Sequence, residues 1–294
     1  MKWNDIDWDN PIKTLDKYGS QNWQCGGFFH RNDGPARILS GGLELWYKHG
    51  LLHRENDLPA IVDPSGHKEW KIKRLTHREH DLPAVIESDG TLKWYKRGNL
   101  HRYNDLPAIV KADGTKEWYK NGELYRGNDL PAIIKADGTQ EWYKDNELHR
   151  GDDLPAIIES NGNQEWYING RLHREKDLPA IVKIDGTQHW YWHNRPHRNN
   201  DLPAIVEAEG TQKWYINGKL HRENKPAIQS ENGYEAWYFN GKKHRLDGPA
   251  IQSQDGYKEY WIDDENISEI EFNKLMLERE LNTNIAIKKK KAKI

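Results

Sequence analysis

The sequence predicts an all-β protein built from tandem 24-residue β-hairpin repeats, about ten of them, forming a curved array or a closed ring, with a short C-terminal helix. Three observations carry this. Tryptophan recurs at a fixed step, at Trp46, Trp70, Trp94, Trp118, Trp142, Trp166, Trp190, Trp214 and Trp237. Each repeat carries two hairpin turns, such as Asp113-Gly114 and Asn121-Gly122. Between the turns sits an aromatic pair, here Trp118-Tyr119, of the kind that strengthens cross-strand packing.

The register of the repeat is tight. A His-Arg pair follows each tryptophan by seven residues, from His53-Arg54 to His244-Arg245; Tyr125-Arg126 fills that slot once, and His30-Arg31 behind Trp23 opens the series. The step is 24 residues inside the array and 23 at each end. Interior repeats read Asn-Asp-Leu-Pro-Ala, as at Asn104–Ala108, whereas Asp33–Ala36 and Asp247–Ala250 read Asp-Gly-Pro-Ala; Lys225-Pro226 is also one residue short.

Within one repeat, residues 107–112 read as a first strand headed by Pro107, a position where a sheet accepts proline. Asp113-Gly114 and Asn121-Gly122 both read as two-residue type I′ turns, because Asn, Asp and Gly tolerate positive φ. They bound a second strand, 115–120, and a short third, 123–126. Two-residue turns set the register. Ile109 should lie opposite Trp118, Val110 opposite Glu117, Tyr119 opposite Leu124 and Glu117 opposite Arg126. One face then carries Ile109, Trp118 and the histidine slot; the other carries Ala108, Val110, Tyr119 and Leu124 with a Glu117–Arg126 pair.

Three segments follow. Residues 1–22 lie outside the repeat and are expected to cap it through Trp3, Trp8 and Ile12. Residues 23–266 are the array. Residues 267–294 are a capping helix and basic tail: Ser268 and Glu271 form a capping box, and Ile267 and Phe272 a hydrophobic staple. The helix is expected over 268–281, with Phe272, Leu275 and Met276 on its buried side, and Lys288–Lys291 with Lys293 as a disordered tail.

The segment Trp-Tyr-x-Asn-Gly-x-x-His-Arg, as in Trp118-Tyr119-Lys120-Asn121-Gly122 and in Trp166 through His173, resembles MORN repeats. It is still more similar to MORN-like variants with His-Arg-x-x-Asp-x-Pro-Ala that occur in large DNA viruses and some bacteria. The resemblance covers roughly residues 23 to 266. MORN units place glycine after the histidine, where this chain places arginine, and this chain adds Leu-Pro-Ala-Ile. The resemblance implies meandering β-hairpins that serve as scaffolds, dimerisation surfaces or, in some members, phospholipid contacts.

Composition narrows function. Charged residues make up 31% of the chain and mean hydropathy is −1.05, a balance that alone hints at disorder; fourteen tryptophans and fourteen tyrosines supply the burial that argues otherwise. The formal net charge of −2 gives no bias toward nucleic acid or membrane. One cysteine, Cys25, permits no internal disulfide, and the acidic, polar Met1–Asp9 does not read as a secretory leader. The expected setting is reducing and intracellular, that is cytoplasmic, or host cytoplasm or virion for a viral chain.

The candidate binding residues are the Trp/His face: Trp94, Trp118, Trp142, Trp166 and Trp190 with His101, His149, His173 and His197. A tryptophan ladder can stack bases or sugars, and a histidine file can hold metal, yet both fit better as repeated packing. The arginines could form an anion-binding stripe, but acids match them almost one for one, so bridges to loop aspartates or cross-strand glutamates are favoured. No P-loop, dinucleotide fingerprint, nucleophile elbow or zinc-spaced cysteine set appears, and repetition denies any single site its uniqueness. No catalytic residue, metal or cofactor is therefore expected. The main expectation is a non-enzymatic repeat scaffold mediating protein–protein interaction. A toroidal protein binding a small anion or lipid headgroup is the alternative, and an enzyme ranks third. A protein partner is expected and no specific nucleic acid; membrane lipid ranks well behind. Residues such as Asp63-Pro64-Ser65, Glu87-Ser88 and Lys183-Ile184, which vary around a constant frame, are where such proteins display binding surfaces.

Overall fold

Every repeat contributes two hairpins of different kinds, and a tryptophan separates them. The computed structural model describes residues 3–291, and the chain divides into two compact units, Met1–Leu148 and His149–Ile294. In the first, Ile109–Val110 pairs antiparallel with Lys116–Glu117 of its own repeat and with Leu92–Lys93 of the repeat before; Lys116–Glu117 pairs onward with Ile133–Ile134. The result is an antiparallel meander. The second hairpin, Tyr119–Lys120 with Glu123–Leu124, forms a small sheet of its own. Trp118 lies between the two hairpins and sends its backbone N–H to the carbonyl of Ala132, 2.8 Å away. The second unit repeats the plan: Ile157–Ile158 pairs with Gln164–Glu165, which pairs with Ile181–Val182, while Tyr167–Ile168 pairs with Arg171–Leu172. Among the described residues no helix falls between 40 and 250, as an all-β array requires.

The second turn has the expected geometry, with φ of 55° at Asn121 and 91° at Gly122. The first does not. Lys111 donates to the Thr115 carbonyl at 2.9 Å and Gly114 to the Lys111 carbonyl at 3.0 Å, so the loop has three residues. Only Gly114 in that loop takes a positive φ, 93°, which marks a type I turn closed by a glycine bulge rather than type I′. The physical reason lies in Asp113, whose carboxylate accepts the Thr115 N–H at 2.8 Å and favours the type I turn. One extra loop residue moves the register by one: Ile109 faces Glu117 and Val110 faces Lys116, correcting the expected Ile109–Trp118 and Val110–Glu117 pairs. The small hairpin keeps its expected register, Tyr119 opposite Leu124.

The core follows the repeat rather than a single centre. The alanine after each proline is 0–1% exposed in every repeat, from Ala36 to Ala250. Its neighbours explain why nothing larger stands there: the Ala132 N–H donates to the Glu141 carbonyl, and its own carbonyl receives the Trp118 N–H, so backbone closes in from both sides. Interior tryptophans are buried and donate their backbone N–H groups to the alanine carbonyls, as Trp94 does to Ala108. Consecutive repeats are further tied by threonine, as where the Thr115 Oγ1 accepts the Ala136 N–H at 3.2 Å.

At the N-terminal end, Trp3 and Trp8 pack on Phe28 (ring centroids 5.2 and 6.3 Å), and Trp8 also meets His30 and His49. Ile12 does not join them; it is 70% exposed in the strand Ile12–Leu15. At the other end the helix runs Glu269–Lys291, well past the expected 281. Nothing between 282 and 287 is Gly or Pro, so no residue stops it, and lysines are favourable at a helix C-terminus. Lys288–Lys291 are thus helical in backbone rather than a disordered tail, while Lys293 lies outside the described residues. The capping box forms, with Ser268 N–H donating to Glu271 at 2.9 Å. Phe272 is buried on the Tyr260 ring at 4.8 Å and Met276 is half-buried, but Leu275 is exposed, correcting its expected burial.

Candidate functional site: the loop clamp and its grooves

The Asn-Asp-Leu-Pro loop is the most organised polar feature of the molecule. Asn104 and Asp105 both adopt positive φ, 58° and 53°, a conformation that Asn and Asp tolerate better than other side chains. This aims both polar groups of Asp105 at the next repeat. Its carbonyl accepts the Trp118 indole N–H at 2.9 Å. Its carboxylate accepts two bonds from Arg126, at 2.8 and 2.7 Å, in the planar fork geometry that suits arginine. The guanidinium lies 3.9 Å over the Trp118 ring and donates a third bond to the Pro131 carbonyl. The second unit holds the same clamp at Asp153, Trp166 and Arg174, and at Asp201, Trp214 and Arg222.

Hydrogen bonds from Arg78, Arg102, Arg126 and Arg174 hold the Asp57, Asp81, Asp105 and Asp153 carboxyls, respectively, below the ordinary range. Asp201 is lowered to about 2, because Arg222 and then Lys225 both donate to it. The expected Glu117–Arg126 pair is replaced. Arg126 goes to Asp105, and Glu117 instead takes Lys111 at 2.6 Å and the Tyr119 hydroxyl at 3.1 Å. The register shift and the clamp together account for this exchange. Tyr119 is consequently pushed up to about 12 by burial and by the neighbouring Glu117. The same Glu–Tyr contact recurs at Glu141–Tyr143 and Glu165–Tyr167. The Glu-Trp-Tyr triplets announce it in the sequence, since residues two apart in an extended strand share a face.

The histidines join repeats too. His101 accepts the Asn121 N–H on Nδ1 at 3.2 Å, His149 that of Asn169 at 3.3 Å and His197 that of Asn217 at 3.1 Å. Most therefore receive a turn N–H rather than meet a carbonyl; His53 and His77 do reach carbonyls. His173 is buried, stacked on His193 with centroids 4.7 Å apart. Burial lowers the pKa of both His101 and His173.

Of the candidate binding residues, Trp94, Trp118, Trp142, Trp166 and Trp190 are 6–7% exposed and serve as packed platforms for the loop clamp. The repeats nevertheless leave grooves between consecutive loops. Trp94 and His101 line one with Arg78, Asp81, Tyr95 and Tyr103; His149, Trp166 and His173 line another with Asp153 and Tyr167. Similar grooves of 320 to 510 Å³ recur near Trp46, Trp214 and Trp237, so no one of them stands apart as a single deep site. At equivalent positions on these loops Leu58, Leu82, Leu106, Leu130, Leu154, Leu178 and Leu202 are each 37–44% exposed. Sequence reasoning missed them, since the Leu in Asn-Asp-Leu-Pro reads as core until the loop geometry is known. Among the described residues no group of three or more His, Cys, Asp or Glu is placed to hold a metal ion, and no helix is long and apolar enough to cross a membrane. No protein-family model matches the chain, and a search of curated proteins finds no match either.

Proposed function

We propose that this chain is a non-enzymatic, MORN-like repeat scaffold that binds a protein partner along its loop face. The observation that carries this reading is the recurring loop leucine, partly exposed at every Asp-Leu-Pro position from Leu58 to Leu202. Each of these leucines keeps more than a third of its surface open, and its recurrence at equivalent loop positions within each of the two units suits a macromolecular partner. The groups shared by all repeats support the reading from the other side. Arg126 and its equivalents spend their donors on aspartate and proline carbonyls and their ring face on tryptophan, which leaves little for a free anion. A buried Cys25 as the only thiol is in keeping with a reducing, intracellular setting.

The test is capture from native lysate by the full chain and by a Leu82→Asp, Leu106→Asp, Leu130→Asp variant, with melting curves to verify that the variant is folded. A specific protein retained by the parent and lost by the variant is the expected result. Equal retention by both, or retention of no protein while inorganic phosphate or anionic vesicles bind the parent, would overturn it in favour of the ligand-binding alternative.

A further inference from the structure

The C-terminal helix is apolar on two opposite sides, and only one is used. Phe272 and Met276, one turn apart, face the Tyr260 strand. Ile270, Leu277, Leu281 and Ile285 recur at steps of seven, four and four, which places them along a second stripe roughly 150° round the helix. They are 82, 59, 54 and 49% exposed, and only Lys274 interrupts the stripe before Ile285 among the residues whose side chains are described. A helical stripe of this width normally packs on another element. The Phe272 contact holds the opposite side of the helix on its own repeat, so the stripe is turned away from that surface.

Charge along the same helix selects the occupant. Residues 269–280 carry four glutamates, Glu269, Glu271, Glu278 and Glu280, against Lys274 and Arg279; residues 281–291 carry four lysines and no acid. Two such helices side by side in parallel would set lysine against lysine. In antiparallel, with Leu277 and Leu281 meeting near the centre and the isoleucines toward the ends, Glu269 and Glu271 of each helix come level with the lysine run of the other, while Arg279 lies between Glu278 and Glu280 at the centre. That arrangement is self-complementary about a two-fold axis, as an isologous dimer requires. We propose that the Ile270–Leu277–Leu281–Ile285 stripe is the docking surface for the same helix of a second copy of this chain, packed antiparallel. The contact is distinct from the loop face and independent of what binds there.

The test uses the full chain in sedimentation equilibrium across micromolar concentrations. A monomer–dimer equilibrium is expected. A Leu277→Glu, Leu281→Glu variant should weaken it by about tenfold or more for each leucine, since each loses burial of a large aliphatic side chain. Reversing the basic half with Lys288→Glu, Lys289→Glu, Lys290→Glu and Lys291→Glu should also weaken it, more so at low salt. Orientation is read by disulfide trapping in a Cys25→Ala background. A Glu271→Cys copy mixed with a Lys288→Cys copy should cross-link, and a Lys288→Cys copy alone should not. A monomer at every concentration, a dimer indifferent to the leucine variant, or efficient trapping of Lys288→Cys with itself would each overturn the proposal. Leu277 and Leu281 sit on exposed helix surface, and retained circular dichroism and melting in each variant keep every outcome interpretable.

Discussion

The long and short loops of one array do the same job in two different ways. In the 24-residue repeats the Asn-Asp-Leu-Pro loop reaches forward: Asp105 takes both the indole and the guanidinium of the next repeat. In the 23-residue repeats the aspartate turns back. Asp33 accepts from Arg31 two residues earlier, and Asp247 from Arg245. The repeat after a short loop shows the loss. Trp46 and Trp237 have no indole hydrogen bond among the described residues, and Trp46 is only half-buried. Arg54 keeps its stack on Trp46 and its bond to Pro59 but forms no ion pair with a carboxylate among the described residues, and burial pushes its pKa below the ordinary guanidinium value against the opposing charge of Glu44. One residue of loop length thus decides whether neighbouring repeats gain a charge-assisted clamp in addition to the sheet ladder and the histidine contacts that both loop types keep.

This contrast can be broken most severely at tryptophan. Trp118→Ala removes a buried indole, its hydrogen bond and the platform under Arg126, and is expected to cost ~3–5 kcal/mol. Trp46→Ala, after a short loop, should cost distinctly less. Urea unfolding of the two variants measures the difference, and equal losses would mean that the clamp adds nothing to tryptophan packing.

Aspartate comes next. Asp105→Ala leaves Arg126, only 14% exposed, without its carboxylate, and should cost about 1–2 kcal/mol once the half-exposure of the aspartate is allowed for. Asp33→Ala breaks a bond on an open surface and should stay within about 0.5 kcal/mol. The comparison can also be sharpened by construction. Inserting one residue between Arg31 and Asn32 and making Gly34→Leu turns the short loop into a long one. Arg54 and Trp46 should then gain the missing partners and the unfolding midpoint should rise, by about 1 kcal/mol in stability.

The effects expected at histidine are modest and are best read by pH. His101→Ala removes one hydrogen bond, worth ~1 kcal/mol. His30, His101, His173 and His189 are all held below the ordinary imidazole value by burial, so the folded state prefers them neutral. A base with a depressed folded pKa contributes stability that is complete above its unfolded value and is lost as pH falls from about 6.5 through the folded value. The clamp aspartates follow the acid rule: their contribution is complete above about 4 and is lost as pH falls toward the folded value, about 2 for Asp201. Two acid phases are therefore expected in a pH series of melting curves. In the lower one, hydrogen exchange should rise at the Trp118 and Trp166 repeats more than at the Trp46 repeat.

Much of this molecule was legible in the sequence because its signals are local. The repeat period, the Asn-Gly turn, the all-β class and the capping box each depend on residues within a few positions of one another, and positive φ at Asn121-Gly122 follows from those two side chains alone. The other turn shows the limit. Asp113-Gly114 fits a two-residue and a three-residue loop equally well, and a bond from Thr115 to the aspartate side chain chose between them, moving the register by one residue. Only the tertiary structure decided which acid each arginine takes, because Asp105 and Arg126 are 21 residues apart and meet only when consecutive repeats pack. The same holds for the leucines. The sequence marks Leu106 and Leu277 simply as apolar, and whether an apolar residue is buried or displayed depends on which face its neighbours cover. Local chemistry determined the repeat; the contacts between repeats, which no single repeat contains, decided its charge pairing and its surface.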